Sequence, residues 1–148
     1  MPPWPTSSRY GDAVPSPRAQ LTAAGLDFVR ARHLATFTSL RPDGSPHVTP
    51  VGFTWDDEHG IARVITSGTS RKARHAALGG PVVLCQLDGR QWLSLEGSGR
   101  VSADPADVAE AVARYAQRYR VPRENPARVA IEIQVTRMLG SPQFLAPG

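Results

Sequence analysis

One stretch of the chain carries the residue types of an anion-binding site. The sequence IARVITSGTSRKARH, residues 61–75, places hydroxyl side chains around Gly68 and follows them with a basic run. Hydroxyls, the free amides of a helix N-terminus and nearby cations together bind phosphate. The alternative is an ordinary helix cap at Ser70 followed by solvated basic residues, although cations at a helix start oppose the helix dipole. The pattern consists of Thr66, Ser67, Gly68, Thr69 and Ser70, followed by the basic residues Arg71, Lys72 and Arg74.

Other familiar catalytic patterns are absent from the sequence. No GxGxxG opens a helix after a strand, which argues against a Rossmann nicotinamide site, and there is no Walker lysine loop. The 4 histidines do not form HExxH or another close metal spacing, and the single Cys85 gives neither an intrachain disulfide nor a cysteine-based metal site. The sequence therefore predicts no metal.

The composition favours small anionic ligands over polymers. Lysine and arginine total 17 against 13 acidic residues, for a net charge of +4, and Lys72 is the only lysine. The excess is too small and too scattered to indicate nucleic acid, whereas arginine suits phosphate and carboxylate. With one cysteine, no signal-like start and no apolar run of membrane-spanning length, we expect a soluble cytoplasmic protein without a membrane segment.

The chain divides into a tail and one domain. Residues 1–19 contain five prolines and little apolar periodicity, so they predict an extended tail, and residues 20–148 form the domain. Apolar positions at three- and four-residue spacing predict a helix over residues 20–32. Strands are expected at residues 33–40, 47–55 and 61–67, with Asp-Gly in the first turn, which indicates an antiparallel meander.

The second half of the domain continues the β pattern. A short basic helix is expected at residues 70–78, strands at 82–87 and 91–101 around Asp88-Gly89, a helix at 104–118 and a last strand at 129–138. Six strands with so few helices between them do not fit a doubly wound parallel sheet. The sequence predicts a mainly β fold, a six-stranded antiparallel split β-barrel with flanking helices.

Taken together, these stretches resemble a known family. The runs HLATFTSLRPDGSPHVTPVGFTWD, ARVITSGTSRKARH and LCQLDGRQWLSLEGSGRV are similar to the pyridoxamine 5'-phosphate oxidase-like split barrels of the FMN-binding type, in the branch that uses the deazaflavin coenzyme F420. The likeness extends from about Leu21 to Gly140. The later stretch RYAQRYRVPRENPARVAIEIQVTRMLGS resembles the actinobacterial F420-dependent biliverdin reductases.

The resemblance implies an enzyme and its site. It implies a homodimer with the cofactor at the subunit interface, and hydride transfer from the reduced deazaflavin to an organic acceptor, a bilin such as biliverdin. The ring would lie against Pro50, Val51, Gly52 and Phe53, the phosphate end at Thr66, Ser67, Ser70, Arg71 and Lys72, and further contacts would come from Gln86 and Trp92. Gly52 would let the backbone approach a flat ring.

The resemblance also implies a catalytic residue. Arg137 would bind the acceptor or stabilise developing charge, because its pKa is too high for a literal acid; the alternative is a salt bridge that closes the barrel end. Arg114, Arg118 and Arg128 are either contacts for acceptor carboxylates or solvated. Two other functions stay open, namely an FMN-dependent oxidase or reductase of the same fold, and a carrier that binds F420 or a tetrapyrrole without turnover. The tail with Trp4 is expected either to cover the pocket or to be disordered.

Overall fold

A computed structural model describes residues 20–147 of the chain. The predicted tail, residues 1–19, lies outside the described residues. Within them, antiparallel strands form one 7-stranded sheet in the order β2-β1-β5-β6-β7-β4-β3. The strands are β1 (Ala35–Leu40), β2 (Pro46–Val51), β3 (Thr54–Asp56), β4 (Ile61–Ser67), β5 (Pro81–Asp88), β6 (Gln91–Ser102) and β7 (Arg128–Gly140).

Three α-helices flank this sheet in the described part of the chain: α1 (Ala23–Arg30), α2 (Arg71–Ala77) and α3 (Pro105–Arg118). Each begins at a side chain that accepts from an amide of the first helical turn, namely Thr22, Ser70 and Asp104. Such caps satisfy donors that the first helical turn leaves free. A short 3-10 helix follows the last strand at Pro142–Phe144. None of the helices in residues 20–147 is long and apolar enough to cross a membrane.

The strand predicted over residues 47–55 is two strands, and this corrects the count from six to seven. β2 pairs with β1, whereas β3 pairs with β4, and the two lie at opposite edges of the sheet. The predicted meander is therefore wrong, because sequence alternation runs through the break at Gly52 and Phe53 without marking it. The predicted class is confirmed, since the sheet edges are joined covalently through these two residues, as a split β-barrel requires.

The core fills the inside of the curved sheet. Its largest fully buried apolar side chains come from four different strands and from the break itself. Each strand alternates, so one set of residues faces this core and the other faces outward. The buried set includes Phe37, Phe53, Leu84, Leu93, Leu95, Ile131 and Ile133.

A buried ion-pair network crosses one side of the barrel. Asp56, which is 3% exposed, accepts from Arg63 Nη1 at 2.9 Å and from His59 Nδ1 at 2.9 Å. Glu132 in turn accepts from Arg100 Nε at 2.9 Å, and its other oxygen lies 3.8 Å from Arg63 Nε. The hydrogen bonds from Arg63 and His59 lower the pKa of Asp56 to about 2 despite its burial. The network thus keeps a carboxylate ionised inside the fold.

Candidate functional site

A cleft of about 440 Å³ opens where the end of β2, the end of β4, α2 and the segment after α3 meet. Six of the predicted cofactor contacts line it, from three separate parts of the chain. They are Pro50, Val51, Gly52, Thr66, Ser67 and Lys72. The fold therefore brings the predicted ring wall and the predicted phosphate residues into one cleft.

The cleft is strongly basic on one side. Lys72 faces it together with Arg120, Arg123 and Arg128, and none of the described residues that line it is acidic. Arg128 donates from Nη2 to the backbone oxygen of Arg123 at 2.6 Å, which holds two of these residues together. Converging cations without a carboxylate among them suit a polyanionic ligand.

The turn between β4 and α2 is fixed by hydrogen bonds to the segment after α3. Asn125 Nδ2 donates to Ser67 Oγ at 2.9 Å, and the amide of Gly68 donates to the oxygen of Ala127 at 2.8 Å. Ser70 caps α2 by accepting from the amide of Ala73, and its hydroxyl also accepts from Thr66 Oγ1 at 3.0 Å. Both acceptor sites of Ser70 are therefore used locally and Ser70 does not line the cleft, whereas Ser67 lines it and still has a hydroxyl proton to donate.

Gly52 has a structural role besides the predicted one, which stays a prediction. A Cβ on Gly52 would stand 3.0 Å from Tyr119 Cε2 and 3.1 Å from Tyr115 Cε2. The two tyrosine rings lie 4.9 Å apart at the end of α3, and Tyr115 lines the cleft. The missing side chain thus makes room for the protein's own aromatic rings, which close onto the break between β2 and β3.

Two predicted contacts lie behind the cleft wall. Phe53 is 1% exposed and packs in the core. Gln86 is also 1% exposed, and its amide is occupied, since Nε2 donates to the oxygen of Phe28 and Oε1 accepts from Arg118, both at 2.7 Å. Direct contact of either side chain with a ligand stays a prediction. The burial of both side chains within one subunit does not favour it.

Three further predicted site residues lie away from the cleft. Arg71 is exposed at the first position of α2 and does not line it. Trp92 is 37% exposed on β6, and the exposed Arg137 lies opposite Glu96 in the pairing of β6 with β7. In the register of the sheet, Trp92 and Arg137 point to its outer face, the side opposite the core. One subunit alone does not bring them to the cleft.

The arginines of α3 are already engaged. Arg114 lies 3.3 Å from Asp56 and 2.7 Å from Glu110, and Arg118 donates to backbone oxygens and to Gln86. Both line a second cleft, of about 420 Å³. Most hydrogen-bond donors of these two arginines are therefore used within the protein, which does not favour their predicted contact with acceptor carboxylates. Arg128, by contrast, does face the basic cleft.

The sequence prediction missed the end of α3 and the segment that follows it. Tyr115, Arg120, Arg123 and Asn125 line the cleft but were not among the predicted contacts. A signal was present, because the stretch YRVPRENPAR has three arginines around one glutamate and no helical or strand periodicity. Arginines that cluster in an irregular loop indicate ligand binding more strongly than arginines on a helix face.

The fold and this cleft define a class of protein. A seven-stranded antiparallel sheet whose two edge strands are consecutive in the chain, with a basic cleft beside their junction, is a split β-barrel of the flavin- and deazaflavin-binding kind. The chain belongs to the pyridoxamine 5'-phosphate oxidase family, whose model matches residues 21–141.

Individual relatives agree with this assignment. The chain is 52% identical over 133 residues to an F420H(2)-dependent biliverdin reductase of Mycobacterium tuberculosis (strain CDC 1551 / Oshkosh), a match that covers 90% of this chain and 97% of that protein. Its fold is similar to that of a conserved hypothetical protein from Mycobacterium tuberculosis, with a TM-score of 0.69 at 23% identity over 81% of this chain and 84% of the other. It is also similar to a structure described as an F420 reductase, with a TM-score of 0.63 at 21% identity over 76% and 94% of the two chains.

Proposed function

We propose that this protein is an F420H2-dependent reductase that transfers a hydride to a bilin such as biliverdin. The observation that carries the proposal is the basic cleft beside the β2–β3 junction in a chain 52% identical to a reductase of that description. Identity at this level over nearly the whole of both chains supports a shared cofactor more strongly than a shared fold does.

The residues of the cleft fit the cofactor chemically. Coenzyme F420 carries a flat deazaflavin ring at one end and a phosphodiester with carboxylates at the other. The wall at Pro50, Val51 and Gly52 is largely apolar, and the opposite side carries Lys72 and three arginines. An apolar wall facing a cationic one matches a ligand that is flat at one end and polyanionic at the other.

The proposed roles follow from this arrangement. Bound F420H2 would supply the hydride, and the protein would supply position and charge. Lys72 and Arg128 would hold the phosphate and carboxylates, and Ser67, oriented by Asn125, would donate a hydrogen bond to a phosphate oxygen. The β2 edge would exclude water from one face of the ring. A guanidinium is a poor acid in general, so the proposed role of Arg137 is to bind the acceptor or stabilise developing charge while water provides the proton.

The outer face of the sheet supports the homodimer that the resemblance implies. Four large apolar side chains are exposed on this face, on β2, β5, β6 and β7. Apolar patches of this kind mark interaction surfaces in soluble proteins. Pro50 belongs both to this face and to the cleft lining, so a dimer formed here would run along the edge of the cleft. The four residues are Val48 (58% exposed), Leu87 (57%), Trp92 (37%) and Leu139 (40%).

A cofactor titration tests the function. We expect the protein to bind F420 and not FMN when intrinsic tryptophan fluorescence is followed, and to oxidise F420H2 only after biliverdin is added. Tight FMN binding without F420 binding would replace the proposal with the FMN-dependent alternative. Binding of F420 without oxidation of F420H2 would favour the carrier.

Light scattering coupled to size-exclusion chromatography tests the dimer. We expect the wild type to elute as a dimer and the variant Trp92→Glu/Leu139→Glu as a monomer, since two buried charges without partners oppose association. Leu78→Glu is the matched control, because Leu78 is 56% exposed at the end of α2 and outside the outer face. A double variant that stays dimeric would place the interface elsewhere.

A further inference from the structure

The break between β2 and β3 is held by the end of α3. At the break, Phe53 leaves the strand ladder with its backbone groups buried, and such groups need other partners. Its amide donates to Tyr119 Oη at 3.2 Å, and its oxygen accepts from Arg118 Nη1. Two consecutive residues of one helix end therefore replace the missing strand partner.

Arg118 connects this break to two further elements. Its Nε and Nη2 donate to the oxygen of Ala31, just after α1, at 2.9 and 2.7 Å. Its Nη2 also donates to Oε1 of Gln86 on β5 at 2.7 Å. The guanidinium lies 4.7 Å from the centre of the Phe53 ring. One planar group thus fixes α1, β5 and the break in a single geometry, which a flexible ammonium does not do.

This arrangement costs more than simple packing requires. The acceptors of Arg118 are carbonyl oxygens and an amide oxygen, and burial lowers the pKa of its guanidinium. Burial also raises the pKa of Tyr119, so the phenol keeps the proton that it donates to the oxygen of His33. A half-buried cation whose hydrogen-bond acceptors within residues 20–147 are all neutral is an expensive way to fill space.

The same contacts lie beside both walls of the cleft. The break is the continuation of the cleft wall at Gly52, and the ring of Tyr119 lies against Gly52. On the other side, Arg120 and Arg123 of the basic wall follow Tyr119 directly in the chain. A movement of the Arg118–Tyr119 pair would therefore displace Gly52 of the apolar wall and the start of the segment that carries Arg120 and Arg123.

We propose that Arg118, held by Gln86 and assisted by Tyr119, is a positioning residue that fixes the distance between the two walls of the cofactor cleft. This inference rests on the proposed function, because it assigns Arg118 to the binding of a ligand that spans both walls. It also gives Gln86 an indirect part in cofactor binding, through Arg118.

The test compares Arg118→Lys and Gln86→Leu with Arg114→Lys. The control residue lies one turn earlier on α3 and contacts Asp56 and Glu110 but makes no hydrogen bond to the break. We expect Arg118→Lys and Gln86→Leu to raise the Kd for F420 about tenfold, as for a lost hydrogen bond to a charged group, and Arg114→Lys to leave it unchanged. Inorganic phosphate, which touches only the cationic wall, should compete with F420 in Arg118→Lys with its wild-type inhibition constant.

Melting temperature and amide hydrogen exchange without cofactor complete the measurement. We expect faster exchange at Phe53 and at residues 120–125 in Arg118→Lys. A variant that melts earlier but binds F420 as the wild type does would show that Arg118 only stabilises the fold, and would overturn the inference. A wild type that binds no F420 would contradict the proposed function instead; the same variants titrated with FMN would then decide the positioning role, with equal affinities again overturning it.

Discussion

Asp56→Ala is expected to lower the free energy of unfolding by about 3 to 5 kcal/mol, as when one partner of a buried ion pair is removed. The carboxylate of Asp56 accepts from Arg63, from the ring and the amide of His59, and lies 3.3 Å from Arg114. Its loss leaves the nearly buried Arg63 with Glu132 at 3.8 Å as its remaining ion-pair partner within residues 20–147. Urea unfolding followed by tryptophan fluorescence measures the change.

Glu110→Ala is the matched control for Asp56→Ala. Glu110 also pairs with Arg114, at 2.7 Å, but its side chain is 51% exposed and the pair lies on the helix surface. Surface pairs of this kind contribute about 0.3 to 0.5 kcal/mol. Equal losses in the two variants would show that the buried network contributes no more than a surface pair.

The same network predicts a loss of stability in acid. The pKa of Asp56 is lowered from 3.8 to about 2, so the folded protein binds its proton less readily than the unfolded chain does. The stabilisation is fully present above the unfolded value and disappears as the pH falls through the folded value. In Asp56→Ala, the fall in unfolding free energy between about pH 4 and pH 2 should be smaller than in the wild type.

Lys72→Ala is expected to weaken F420 binding by about 1 to 3 kcal/mol, which is the range for a lost charge-assisted hydrogen bond. Lys72 is the only lysine of the chain and lines the cleft from α2. Arg128→Ala should have an effect of similar size, because Arg128 belongs to the same basic wall. Both changes should leave unfolding by urea almost unaltered, and fluorescence titration at low ionic strength measures the affinity.

Two other variants of α2 sharpen this experiment. Arg74→Ala removes an exposed cation of the same helix outside the cleft lining, so we expect wild-type affinity. Arg71→Ala tests the sequence prediction directly, since Arg71 is exposed and does not line the cleft. A loss at Arg71 as large as that at Lys72 would mean that the ligand extends beyond the cleft. Unchanged affinity in Lys72→Ala/Arg128→Ala would refute the assignment of the basic wall.

Most of the fold could be predicted from the sequence, because its strands alternate regularly and its turns use glycine where the backbone needs it. Gly44 and Gly89 follow aspartate in the two Asp-Gly turns that the sequence predicted. Both have positive φ, at 88° and 60°. The break at Gly52 was not predicted because the apolar alternation passes through it. What separates β2 from β3 is a tertiary contact, the approach of two tyrosine rings from α3, and local patterns carry no record of such contacts.

Some residues of the candidate site could likewise be predicted from the sequence, and others could not. Thr66, Ser67 and Lys72 are close in sequence and lie in one cleft, so their spacing was informative. Arg120 and Arg123 reach that cleft only because α3 packs across the sheet, and Asn125 reaches it through its hydrogen bond to Ser67. Gln86 was predicted from the family resemblance, but whether a strand residue faces a ligand or a half-buried arginine depends on which side of the sheet is inside.

The position of β7 bears on the order in which the molecule can assemble. β7 lies between β4 and β6, and β4 has only the three-residue strand β3 on its other side. Residues 128–140 must therefore be synthesised before the strand that leads into Thr66 and Ser67 is secured on both sides. Pairings between such distant segments form slowly. We expect the nascent chain to have no cofactor affinity until residues 128–140 have left the ribosome, so that loading with cofactor follows the synthesis of β7.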